Sequence, residues 1–73
     1  EFEVGKRIQT PFAGDLESAV ISAVSSYQDN KKDIDKSIYD NQWESSTPKE
    51  ELTWYKLKFD NGETMWVDNE ELS

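Results

Sequence analysis

The chain has 73 residues, 33% of them charged, with 16 acidic against 8 basic side chains and a formal net charge of −8. That length supports one domain around one small core, and the absence of cysteine and histidine removes disulfides, thiolate metal sites and the commonest general base. The acidic balance disfavours nucleic acid and anionic membrane and favours basic partners. No apolar run approaches the ~18 residues of a transmembrane helix, and no signal peptide is visible. Residues 1–73 are read as a single domain, expected to be a fragment of a longer protein because it opens and closes abruptly at Glu1 and Ser73.

Glu1 to Phe12 (EFEVGKRIQTPF) opens with Val4-Gly5 and continues as a short strand through Ile8. Pro11 lacks a ladder donor and should lie at a strand end or edge; Ala13-Gly14-Asp15 follows as a turn. Leu16 to Tyr27 (LESAVISAVSSY) has two readings. Leu16, Ala19, Val20, Ala23, Val24 and Tyr27 recur at helical spacing behind Asp15 as N-cap. As a strand the same stretch has two half-apolar faces. The local pattern favours the helix. Ser25 to Lys49 is polar and of mixed charge, with Ile34, Ile38 and Trp43 as its sizeable apolar residues besides Tyr27 and Tyr39. A short helix at Asp33 to Tyr39 fits the spacing, but the segment holds too little apolar surface for a core of its own. It reads as a long loop laid over the domain and pinned by Trp43, and loops of that length are usually functional or disordered.

Thr53 to Asp68 (TWYKLKFDNGETMWVD) alternates β-branched and aromatic residues with lysines on its first arm, the pattern of a half-buried strand. Asp60-Asn61-Gly62 supplies the turn. A two-residue loop would pair Leu57 with Trp66 and put Val67 among the lysines. A three-residue loop with Gly62 left-handed pairs Phe59 with Glu63, Leu57 with Met65 and Tyr55 with Val67, gathering Tyr55, Leu57, Met65 and Val67 on one face. The other face then carries Trp54, Lys56, Lys58 and Trp66. The three-residue loop is the expectation. Asp68 to Glu71 reads as a turn that returns Leu72 to the core.

Three stretches, VGKRIQTPF (Val4 to Phe12), GDLESAVISAV (Gly14 to Val24) and YKLKFDNGETMWVDNEEL (Tyr55 to Leu72), together resemble the Tudor domain of the Royal superfamily. The resemblance covers roughly two thirds of the chain and rests on the opening Val-Gly, the Phe-acidic-polar-Gly hairpin, and Val67 and Leu72 standing eight and thirteen residues after Phe59. It is closest in flavour to the tandem Tudor modules of DNA-damage checkpoint mediators. It implies an all-β fold, a small five-stranded SH3-like barrel with a long loop between the second and third strands, and so makes Leu16 to Val24 a strand. It also implies a nuclear, chromatin-associated, non-enzymatic protein–protein interaction module of the DNA damage response.

Tudor readers of methyl-lysine hold the ammonium among aromatic faces and an acidic residue, with cation–π attraction of ~0.5–2 kcal/mol per good contact. Carried over by position, the resemblance implies a ligand-binding site of Phe12, Glu17, Phe59, Asn61 and Glu63. Glu17 and Glu63 stand where such readers generally place an aromatic, and Asn61 where they place aspartate, so the cage is degenerate. The implied ligand is a basic, histone-like tail with little preference for methylation. Phe12 and Phe59 equally read as the cap of a small core. Trp54, Trp66, Lys56 and Lys58 read as a solvated face with cation–π pairing, or as a face that docks the long loop, a neighbouring Tudor domain or another partner. Nucleic acid would need Lys6, Arg7, Lys56 and Lys58 to form a basic patch against the net charge. Asp60, Glu63, Asp68, Glu70 and Glu71 read as a solubilising acidic edge that steers basic partners. The chain is read as non-enzymatic, with no cofactor and no metal site: Asp29-Asn30 and Asp33-x-Asp35 lack the central glycine and closing glutamate of a calcium loop.

Overall fold

The hairpin forms in the three-residue register. In a computed structural model, which describes residues 2–13 and 15–72 and, for 10–13 and 15–17, the backbone alone, β1 spans Arg7–Ala13, β2 Asp15–Ser26, β3 Thr53–Phe59 and β4 Thr64–Asp68. β3 and β4 pair Trp54 with Asp68, Tyr55 with Val67, Lys56 with Trp66, Leu57 with Met65 and Lys58 with Thr64. Phe59 N–H donates to Glu63 O at 2.8 Å and Gly62 N–H to Phe59 O at 2.9 Å. Gly62 takes φ +91°, which a side chain would strain.

Leu16 to Val24 is strand, against its helical periodicity. β2 is a twelve-residue strand with both edges paired, to β1 from Arg7↔Val20 to Ala13↔Asp15 and to β3 from Ala19↔Phe59 to Ser26↔Thr53. These long-range ladders outweigh the weak local preference of a stretch rich in β-branched residues and serines. The four strands form one antiparallel sheet in the order β1-β2-β3-β4. The expectation of five strands is met by four among the described residues, without pairing between β1 and β4.

One sheet face carries the expected core. Ala19, Ile21, Tyr55, Leu57, Phe59 and Val67 are buried together, with Ile8, Met65 and residues from both chain ends, Phe2 and Leu72, packed against them. Phe2 meets Tyr55 edge-on at 5.5 Å. The register between Ile21 and Ala23 slips, an irregularity of the β-bulge kind, which as a rule bends a strand.

The opposite face is also buried, which corrects its reading as a solvated face and agrees with the alternative in which it docks the 25–49 segment. The 25–49 segment is not a plain loop: after a 3₁₀ turn at Gln28–Asn30 it forms helix α1, Lys31–Asp40, and a second 3₁₀ turn at Lys49–Glu51 precedes β3. Ile34 and Ile38, one turn apart, aim a narrow apolar stripe at the sheet. They join Tyr27, Leu52, Trp54, Trp66, Ala23 and Trp43 in a second core. The segment holds too little apolar surface to fold alone, but the tryptophans of the sheet supply the other half.

Three polar fastenings hold α1 down. Ser37 Oγ accepts from the Trp66 backbone N–H on the outer edge of β4 at 3.0 Å. Gln42 is left-handed at φ 52°, and Trp43 N–H reaches back to Ile38 O at 3.0 Å. That is a Schellman closure which returns Trp43 to the second core, 5.3 Å from the Trp54 ring. At the other end Tyr27 Oη donates to both Asp35 oxygens at 2.8 and 2.9 Å, and Lys49 Nζ donates to Asp35 Oδ1 at 3.0 Å while lying 4.7 Å from the Tyr27 ring centre.

The hydrogen bonds from Tyr27 and then Lys49 hold the Asp35 carboxyl below its ordinary 3.8. A carboxylate with a depressed folded pKa stabilises the fold fully above its unfolded pKa and ceases to as pH falls through the folded value. Thermal unfolding followed from pH 7 to pH 2 should therefore show a steeper loss of stability below about 4 in the wild type than in Asp35→Asn. Equal acid limbs would mean that this fastening contributes nothing.

Candidate functional site

The register brings the five site positions expected from sequence to one end of the sheet. Ala19 lies opposite Phe59, so the start of β2, with Glu17, runs beside the β3–β4 turn that carries Asn61 and Glu63. Thr10↔Glu17 and Ala13↔Asp15 with an irregularity between them bring Phe12 of β1 to the same end. The side chains of Phe12 and Glu17 lie outside the described residues. The tip is preorganised: Asn61 Oδ1 accepts from Glu63 N–H at 2.9 Å. Phe59 is 8% exposed and sits in the first core, so little of its ring faces outward. A shallow depression lies there, lined by Ser18, Phe59, Asp60 and Asn61.

The electrostatics at this end are acidic and open. Asp60 meets Arg7 at 3.3 Å, with both side chains more than half exposed, a pair worth little in solvent. The Glu63 carboxylate has no partner among the described residues. What the arrangement offers is shallow, rim-exposed negative charge beside the edge of one aromatic ring.

Of the readings given for the expected partner face, docking of the long 25–49 segment is the one the structure adopts. Trp54, Lys56, Lys58 and Trp66 do share a face, and Arg7, Val20 and Lys58 form one cross-strand row. Trp54 and Trp66, however, are 0% and 7% exposed. α1 and Trp43 cover them, so the solvated tryptophan face is replaced by docking of the chain's own segment. The physical reason is area: two large indoles gain more from burial against Ile34 and Ile38 than from contact with lysine ammoniums. Lys58 remains exposed and Lys56 half-buried.

A constellation that the sequence reading missed lies where α1 ends. A cavity of about 100 Å³ is lined among others by Ile38, Asn41, Trp43, Trp54, Trp66 and Glu71. Beside it Asp68 is 1% exposed, accepting from Trp43 Nε1 at 3.2 Å and from Glu71 N–H at 2.7 Å. Asp68 is thus a buried cap of the terminal turn rather than part of a solubilising edge. The Glu71 carboxyl is pushed above its ordinary 4.5, by burial first and then by the charge of Asp68, with the Trp43 indole partly offsetting both. The signal available in the sequence was Trp43 itself, a large apolar residue in an otherwise polar stretch.

Among the described residues no group of three or more acidic side chains is placed to hold a metal ion, and no helix is long and apolar enough to cross a membrane. No protein-family model, no curated protein and no solved structure matches the chain.

Proposed function

We propose that this chain is a non-enzymatic interaction module of the Tudor type, a nuclear, chromatin-associated domain that recognises a basic, histone-like tail at the hairpin end of its sheet. The observation that carries the reading is the convergence of positions 12, 17, 59, 61 and 63 on one end of the sheet by strand register, next to the depression at Phe59, Asp60 and Asn61. In a chain of net charge −8, exposed carboxylates there attract a cationic segment and steer its approach. An SH3-like barrel is supported by the register slip in β2 and by Phe2 and Leu72, which pack on one core. Burial of Phe59 makes the site weak and charge-driven, because the aromatic contribution to cation binding needs an exposed ring face.

The test is an NMR titration with paired peptides, one carrying lysine and one trimethyl-lysine. Binding near millimolar is expected, falling as salt rises, with shifts at Phe59, Asn61 and Glu63 and little difference between the two peptides. Glu63→Tyr adds an aromatic wall on an exposed position and should favour the trimethylated peptide without altering the fold. Silence at Phe59, Asn61 and Glu63 at saturating peptide would remove the site from this end.

A further inference from the structure

All three tryptophans of the chain line the cavity beneath the end of α1, and the groups around them select a narrow kind of ligand. At about 100 Å³ the space is far below the 300–1,000 Å³ of a typical cofactor or drug-sized site and on the scale of cavities that admit one small ring. It fits a single side-chain head. The apolar part of the lining is the three indoles, Ile38 and Met65, so the part of a ligand that lies against it must be apolar.

The polar rim decides the rest. The side-chain amide of Asn41 donates one N–H to Ser37 O at 2.9 Å, and its Oδ1 remains available as an acceptor. Ser37 Oγ already receives the Trp66 N–H. Glu71 supplies a carboxylate, and Asp68 a second negative charge behind it, already satisfied by Trp43 and the Glu71 backbone. Among the described residues no lysine or arginine lines the cavity. The Ser37 hydroxyl and the second Asn41 N–H can donate, but the charge on the rim is the Glu71 carboxylate, and with Asn41 Oδ1 it suits a cation that has N–H groups to donate and an alkyl stem to lay against indole faces. A bare metal ion finds too few oxygens here. A quaternary ammonium has no N–H to give.

We propose that this cavity is a binding site for the head of a primary alkylammonium ion, with Glu71 and Asn41 accepting from the ammonium and Trp43 and Trp66 flanking the alkyl stem. The site lies on the α1 side of the sheet and is independent of the hairpin-end reading. Its ammonium chemistry is shared by a lysine side chain and a free alkylamine.

The arrangement supplies its own reporter, because the hairpin end contains no tryptophan. The experiment titrates the protein with n-butylammonium chloride at constant ionic strength and follows tryptophan fluorescence and the three indole N–H signals by NMR. A saturable change in the millimolar range is expected, strongest at Trp43 and Trp66, with any shift at Asn61 and Glu63 following a separate titration curve. Tetramethylammonium chloride should bind several-fold more weakly. Glu71→Gln should weaken butylammonium binding about tenfold, the loss of one charge-assisted contact, while Glu3→Gln, at an exposed position outside both sites, leaves it unchanged. Nα-acetyl-lysine amide in place of butylammonium separates the sources: binding at least as tight assigns the site to a peptide lysine, and none assigns it to a free amine. If Glu71→Gln fails to fold, the wild-type indole shifts and the butyl-to-tetramethyl ratio decide alone. Linear, non-saturating fluorescence, equal response to tetramethylammonium, or shifts confined to Asn61 and Glu63 would overturn the proposal. The last of these would leave the hairpin-end site standing.

Discussion

Val67→Asp is expected to abolish cooperative unfolding. Val67 is 1% exposed in the centre of the first core, across from Tyr55 and beside Leu57. A carboxylate there has neither water nor a partner, and the cost of several kcal/mol rivals the ~5–15 kcal/mol that holds a whole domain together. The variant should show a flattened melting curve and a collapsed, poorly dispersed amide NMR spectrum. Lys58→Ala on the exposed part of the other face is the control and should move stability by less than ~0.5 kcal/mol. Comparable losses in the two variants would contradict the assignment of the hairpin faces.

The second large effect belongs to Trp54. It is 0% exposed, tilts against Trp43, and donates from Nε1 to Lys49 O at 3.0 Å. Removing it takes the floor out of the second core, and truncation of a buried tryptophan typically costs ~3–5 kcal/mol. Trp54→Ala should lower the urea midpoint accordingly, while Trp54→Phe, which keeps a ring but loses the hydrogen bond, should cost less. Hydrogen exchange locates the damage. The amides of α1 should lose protection first, since the helix has only ten residues and isolated helices of that length are marginal in water. A Trp54→Ala protein within about 1 kcal/mol of wild type, with α1 still protected, would mean that the helix is held by something other than this face.

The hairpin was legible because its determinants are local. Alternation from Thr53 to Phe59 specifies the faces, and Gly62 specifies where the chain can turn with positive φ, so one register alone keeps Tyr55, Leu57, Met65 and Val67 together. The convergence of the expected site positions on one sheet end follows from that register and from the pairing of β2. The helix-or-strand choice at Leu16 to Val24 was not local. Its residues satisfy both periods, and two flanking ladders decide for strand.

Composition, charge, the hairpin and its turn were determined by the sequence itself, through propensity, alternation and one obligatory glycine. Tertiary structure alone decided the second core. Ile34 and Ile38 allow a short helix over 33–39 but are too few to announce that it is buried. Trp54 and Trp66 alternate with lysines and so resemble a wet face, and Gln42 is an unusual residue to turn a helix end in the left-handed region. Each signal is weak alone because burial is a property of the pair: the helix stripe and the tryptophan face are each incomplete, and the hydrophobic gain exists only once both leave water together. The same docking creates the small cavity, whose walls come from positions 38, 43, 54 and 66 and whose carboxylate comes from position 71. No sequence spacing relates those residues; only the closure of α1 onto β4 brings them to one point.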